Sequence, residues 1–489
     1  MIPLGEWLPD LPQRNNPGAI TATNVIPHQN SYKPVAALSA YSSAISNRAL
    51  GAFSVKDSAG VVYIYVGDSS ALYRLSSTSF TDSSSTTYTT ASLERWEFVQ
   101  WANTVIATNY SDDIQQITLG AANFANLGTS GTAPKARHIA VVAGFVVTGN
   151  TYDSTDGAIP YRLWWSSFED PNTWPAIGSA SAIANQSDQQ DLYNDGGAIQ
   201  AIVGGDYGVI LQERVISRLD YVGAPKIFDI ITMERGRGTI SPSSVVSQGR
   251  IIYYLGEDGF YAFNGVESIP IGNGKVDRTF FADLNLSYID RISSAIDKNN
   301  SLVMWAYPSN SSSGNPDKVI IYNWVLGRWS TATFDCELLL SSYTPGYTLD
   351  GLDALSSSVD ALAYSLDSRA YLGGTLQMAA FDTSHQLATF TGSNLTGVID
   401  TGEFQSVPGA RSFIRSILPI VEGGTTTVQL GHRSNLITSP TWTSAISLDS
   451  YGKACILNDN LYHRVRLNIS ASYTHALGVD IDFEASGII

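Results

Sequence analysis

The sequence predicts an all-β protein: an irregular β-propeller of six or seven blades with inserted segments and a C-terminal β-sandwich-like domain. Three observations predict it. The composition suits strands, a strand–turn–strand unit recurs along most of the chain, and the texture changes to longer alternating strands from residue 396 onward.

Of 489 residues, 44% are hydrophobic and 11% aromatic, while only 15% are charged. β-Branched and aromatic side chains suit a pleated, half-buried surface, whereas helices are stocked with long charged side chains, so strands are favoured throughout. A chain of this length is expected to form more than one unit.

Residues 1–44 read as an extended N-terminal segment. It is rich in Pro, and residues preceding Pro avoid the α region, which makes it a candidate for docking on a neighbour. The first ten residues carry no basic n-region and no apolar core, and the longest apolar run, 139–147, is broken by Gly144. Neither a signal peptide nor a membrane span is expected.

Residues 45–395 hold the recurring unit, an apolar strand, a Gly, Asn or Asp turn and a second strand. It is seen at 61–66 with 71–75, 96–101 with 104–107, 138–142 with 145–147, 199–203 with 208–211, 250–255 with 259–263, 293–296 with 302–305, and 359–364 with 371–374. The starts are 35, 42, 61, 51, 43 and 66 residues apart. Blades run to about 40–50 residues, so the longer gaps predict insertions, notably at 149–198. The many Trp and Tyr residues are read as packing between blades. Residues 276–284 have apolar positions at helical spacing and predict a short helix, while the polar stretch 178–197 predicts a contact or lumen loop. Residues 396–489, with alternating runs at 412–421 and 462–469, form the C-terminal domain and are a candidate for partner contact.

No chemistry is assigned. The six histidines, His28, His138, His385, His432, His463 and His475, are dispersed, without HExxH, and there is no CxxC. Cys336 and Cys455 read as reduced core residues. The Gly-rich segments 204–208 and 236–238 are not phosphate loops, and no Gly-x-Ser-x-Gly elbow is present. Residues 167–174 resemble a degraded sialidase Asp-box, with Glu169 and Pro171 in place of its Asp and Gly, but in that fold the box is itself a turn that braces a blade, structural rather than catalytic. Asp188 with Asp191 is an unsupported carboxylate pair. The chain is read as a non-enzyme with no catalytic, cofactor-binding or metal residues. A net charge of −16, from 28 basic and 44 acidic residues, argues against a groove that tracks phosphates.

Several landmarks resemble a known family. They are Trp7-Leu8-Pro9-Asp10-Leu11-Pro12, Asn16-Pro17-Gly18, Asn24-Val25-Ile26-Pro27 and Tyr32-Lys33-Pro34 near the start. Further on come Tyr161 to Ser166 with Asp170 to Trp174, Gly256 to Gly265 with the helix after Lys275, and Tyr322-Asn323 with Arg328-Trp329-Ser330. Together they resemble the tail nozzle or hub proteins of short-tailed phages, the packaged-DNA stabilisation or tubular tail protein B-like family. The C-terminal domain matches by texture alone. The resemblance implies a virion structural protein, assembled in the host cytoplasm into a homo-oligomeric ring, commonly a hexamer. That ring would sit in the tail below the portal and head-to-tail adaptor and carry tail fibres or a needle. It would retain packaged genomic DNA and conduct it at ejection without sequence-specific binding. An acidic wall fits such a conduit, because it does not hold sliding DNA. Two readings stand beside this one: a glycan-binding or glycan-cleaving propeller, and an intracellular scaffold propeller.

Overall fold

The computed structural model describes residues 1–128, 130–131, 133–346, 358 and 373–488. The chain folds as an irregular β-propeller joined to a large curled sheet. Six blades are separate four-stranded antiparallel sheets, and a further four-strand unit, here blade 6, begins the large sheet. The innermost strands, blades 1 to 7 in order, are Gly51–Lys56, Glu97–Trp101, Lys135–Val142, Ile199–Val203, Val246–Gln248, Ser293–Asp297 and Leu338–Tyr343. Each lies against the next, except that the fourth meets the short 3-10 turn Pro242–Ser244 ahead of the fifth, and the last lies against the first.

The second strand of a blade is covered on both faces by its neighbours, which is why it reads as a continuous apolar run rather than an alternating one. Gly208–Gln212 and Leu302–Tyr307 are buried at every position. Each interface between blades has its own apolar cluster, such as Val105 and Ala107 with Tyr65 and Leu72, or Ile199 and Ile210 with Val142 and Phe145. The large aromatics fill these interfaces. Trp165, Trp174, Trp305 and Trp329 are fully buried, and each indole N–H donates to a backbone carbonyl, those of Gln186, Pro171, Ser244 and Ile271.

Blade 7 closes the ring with both ends of the propeller. Leu338–Tyr343, Leu376–Phe381 and Gln386–Thr389 come from late in the chain, and the outermost strand, Ser39–Ala44, comes from the N-terminal segment. The hairpin expected at 359–374 lies, except for residues 373–374, in a stretch outside the described residues apart from Ser358. Further parts of residues 1–44 are also paired: Ile2–Pro3 with the C-terminal strand, Val25–His28 with Ser31–Pro34, and Ala19–Thr23 between two other strands.

The polar stretch 178–197 is ordered rather than a bare loop. It holds a helix, α1 (Ala180–Asn185), capped by Ser179, and then Asp188–Asp191, the outer strand of blade 3. That strand is half exposed, so its polar residues give no apolar signal. The helix expected at 276–284 is α2 (Asp277–Asp283).

The C-terminal region is bonded to blade 6. The outer strand of blade 6, Arg328–Thr333, pairs with Ala19–Thr23, which pairs with Gly397–Thr401, which pairs in turn with Tyr462–Ile488. Tyr462–Ile488 and Ala410–Arg433 run antiparallel along their lengths, with register shifts that curl the sheet. Alternation sets what is inside: Val465, Leu467 and Ile469 are buried, and so are Ala454 and Ile456. Cys455, between the last two, therefore faces outward and is exposed; of the two cysteines only Cys336 is a core residue.

Candidate functional site at the axial mouth

All seven blades contribute to one place, the mouth where the innermost strands begin. Within three residues of those strand starts stand Arg48, Arg95 and Glu97, Arg137 and His138, Gln200, Ser243, Asp290 and Arg291, and Glu337. In a chain that is only 15% charged, this is a marked concentration. A cavity of about 240 Å³ opens here, lined by Glu94, Arg95, Glu97, Tyr110, Arg137, His138, Asn150, Gln200 and Asp290 among others.

Two carboxylates clip neighbouring strands together in the same manner. Glu97 accepts from the Ile139 N–H (3.2 Å) and lies 2.8 Å from His138 Nδ1, joining blades 2 and 3. Glu337 accepts from the Ala49 N–H (2.9 Å) and lies 2.7 Å from His385 Nδ1, joining blades 7 and 1. Burial raises the Glu337 carboxyl above the usual range. Arg137 lies 3.6 Å from Glu94 and 4.2 Å over the Tyr110 ring, with Tyr110 itself at φ +68°.

The other half of the mouth is occupied by arginines. Arg95 Nε donates to the Asp290 carbonyl (2.9 Å), Arg291 Nη1 to the Gly314 carbonyl (3.0 Å), and Arg48 Nη2 to the Glu337 carbonyl (3.2 Å), with Arg48 Nη1 on Asn315 Oδ1. Burial, together with the Arg48 charge, holds the Arg95 guanidinium down to about 10, and burial with the nearby Arg291 lowers Arg48. The sequence reading assigned none of these residues, since they lie far apart along the chain. A signal was present in the form of an Arg, Asp or Glu at, or up to three residues before, the start of an inner strand, repeated in Arg48, Arg95, Glu97, Asp290, Arg291 and Glu337.

The remaining sequence candidates fall elsewhere. Asp188 and Asp191 stand three residues apart on one strand and so face opposite sides. Asp191 is held by the Arg162 guanidinium (2.6 and 3.1 Å), which keeps its carboxyl below the usual range. Residues 167–174 form a turn in which Asp170 accepts from the Asn172 N–H and the Thr173 hydroxyl, with Glu169 in the left-handed region and Trp174 buried. Gly204 is a packing glycine, since a Cβ there would meet the Val141 carbonyl oxygen of blade 3 at 2.2 Å. The fold brings together histidines that are far apart in sequence: His28 stacks on His475 with ring centroids 5.4 Å apart, and His432 faces His463 in the strand register. Among the described residues, no group of three or more His, Cys, Asp or Glu could hold a metal ion, and no helix is long and apolar enough to cross a membrane.

No family model matches this chain, and no curated protein matches it significantly. Among solved structures, the chain is similar to the computationally designed Ika8 protein, with 7% identity and a TM-score of 0.37 over 71% of this chain and 97% of that one.

Proposed function

We propose that this chain is a structural subunit of a short phage tail, forming with further copies a nozzle or hub ring. Below the portal and head-to-tail adaptor, that ring retains packaged DNA and conducts it at ejection. The observation that carries this reading is where the resembling residues lie. Many of them converge on one seam, between blades 5 and 6 and the C-terminal sheet.

In that seam Trp7 is buried and donates to the Ile20 carbonyl (3.0 Å). Asp10 accepts from the N–H groups of Arg278 (2.9 Å) and Thr279 (2.8 Å), capping α2 from a distant segment, because Val276 at its own N-terminus has no capping side chain. Asn16 accepts from the Gly18 N–H (2.9 Å), and a Cβ on Gly18 would meet the Glu6 carbonyl oxygen at 1.9 Å. Asn24 accepts from the Thr333 N–H of blade 6 and donates to the Thr396 carbonyl. Lys275 pairs with Glu6 (2.6 Å), and Arg328 donates to the Gly5 carbonyl (2.6 Å) over the Tyr32 ring. In this chain the resembling motifs are those that join the propeller to the appended sheet, which supports the reading.

The curled sheet also leaves Ile437, Tyr451 and Leu457 at 97%, 83% and 75% exposure, surface that assembly would cover. The virion tail, with the host cytoplasm during assembly, is the location this reading gives. Negative-stain imaging and mass measurement of the purified chain test it, alone and with its adaptor. The expected result is a closed ring, six-fold if the hexamer holds. A monomer that binds or hydrolyses a glycan, using the axial cavity with its Glu94, Glu97 and Tyr110, would replace this reading with the alternative one.

A further inference from the structure

We propose that the axial mouth binds a tetrahedral oxyanion of the phosphate class, held by Arg95 together with Arg48 and Arg291. The three side chains come from three blade starts and converge through neighbouring anchors. Arg291 and Arg48 reach the adjacent residues Gly314 and Asn315, while Arg95 is fixed on the carbonyl of Asp290, next to Arg291.

Their partners are carbonyl and amide oxygens. Among the described residues, the ion pairs of the mouth are Arg137 with Glu94, His138 with Glu97 and His385 with Glu337, and none includes these three arginines. The closest acids act from beyond ion-pair distance. Glu337 is committed to His385 and the Ala49 N–H, and Asp290 meets Arg95 through its carbonyl.

Like charges brought together without an ion-paired counter-charge repel each other, and an anion seated among them relieves that repulsion. A single guanidinium satisfies a planar carboxylate with two parallel hydrogen bonds. Three guanidiniums arriving from different blades match an anion whose oxygens point in several directions, as in phosphate. Access is through Arg95, the one of the three that lines the open cavity of about 240 Å³, where Arg137 and the acids Glu94, Glu97 and Asp290 also stand. This site is independent of the ring assembly, since every residue in it comes from one chain.

The test is a titration of the full-length chain with inorganic phosphate, read by calorimetry and by thermal shift against chloride at matched ionic strength. Saturable one-to-one binding with a rise in melting temperature is expected. Arg95→Gln should weaken it at least tenfold, and Arg415→Gln, on the distant C-terminal sheet, should leave it unchanged. Arg48→Gln serves as the second variant if Arg95→Gln fails to fold. Phenyl phosphate separates the sources: tighter binding than inorganic phosphate supports the site as one for a phosphomonoester headgroup, and equal binding supports it as one for the free ion. Phosphate no better than chloride, or full affinity in both arginine variants, would overturn the proposal.

Discussion

Asp277 and His463 are both buried, and burial moves them in opposite directions. Asp277, with Gly259 and Gly272 packed so closely that a Cβ on either would strike its carboxyl, is pushed up to about 6 by burial, with Asp10 and Asp258 adding to it. His463, whose Nε2 has no partner among the described residues, is pushed down to about 4 by burial, with His432 adding to it. The raised acid contributes stability that is full below pH 3.8 and lost as pH rises through 6. The depressed histidine contributes stability that is full above pH 6.5 and lost as pH falls through 4. Each is worth about 3 kcal/mol across its window. Asp277→Asn should therefore gain stability at pH 7.5 and little at pH 4, while His463→Phe should become less sensitive to acid than the parent. Denaturant unfolding at pH 7.5, 6 and 4 measures both, and parallel pH profiles for all three proteins would refute the assignment. At this scale, packing aromatics such as Trp305 and Trp329 were legible in the sequence, because bulky apolar side chains in strands have few other uses. The axial arginines were not, because nothing local says that residues 48, 95 and 291 meet.

At the scale of elements, the strand–turn–strand unit was legible and its phase was not. The pairs read at 61–75 and 250–263 are the second and third strands of blades 1 and 5, whereas those at 96–107, 138–147, 199–211 and 293–305 begin on the innermost strand. Innermost strands start at 51, 97, 135, 199, 246, 293 and 338, in steps of 46, 38, 64, 47, 47 and 45 residues. Of these six steps the one across blade 3 is the longest, because residues 166–187, with α1, lie between its third strand and its outer strand. Hydrophobic periodicity marks any buried hairpin equally, so it cannot tell which hairpin faces the axis. The closing strand Ser39–Ala44 escaped notice for a related reason: it is Ser and Ala at every position but Tyr41 and exposed at most positions. Its role can be checked with a cross-link. Ala44 and Gln386 are register partners, and a disulfide between Ala44→Cys and Gln386→Cys, in a Cys455→Ser background, would tie the two ends of the ring. Constraining so long a loop should stabilise by about 2–4 kcal/mol, seen as a higher melting temperature in the oxidised than in the reduced protein. Equal melting temperatures with the bond formed would mean that this closure does not limit unfolding.

For the whole molecule, the alternation from residue 396 onward correctly foretold a sheet with one buried face. What local pattern could not convey is that this sheet continues blade 6 through Ala19–Thr23, because that pairing joins strands more than 300 residues apart. One apolar cluster runs from Tyr253, Phe260 and Trp305 of blades 5 and 6, through Trp7 and Val25, to Ile399, Val428 and Leu467. A chain ending at residue 395 should therefore lose cooperative unfolding and bind hydrophobic dyes, having exposed that shared face. Calorimetry of the 1–395 fragment gives the answer, and a sharp transition at the parent temperature would show that the propeller stands without the appended sheet.

Ring closure also imposes an order in time. Ser39–Ala44 leaves the ribosome early, yet its partner Gln386–Thr389 follows about 340 residues later. At 5–20 residues per second, the early strand waits roughly 20–70 s with its edge unpaired. Unpaired edges recruit other chains, and the hazard grows with hydrophobicity. A strand reading Ser-Ala-Tyr-Ser-Ser-Ala is poorly adhesive, so its plain composition suits a segment that must stay idle during synthesis and still pair at the end.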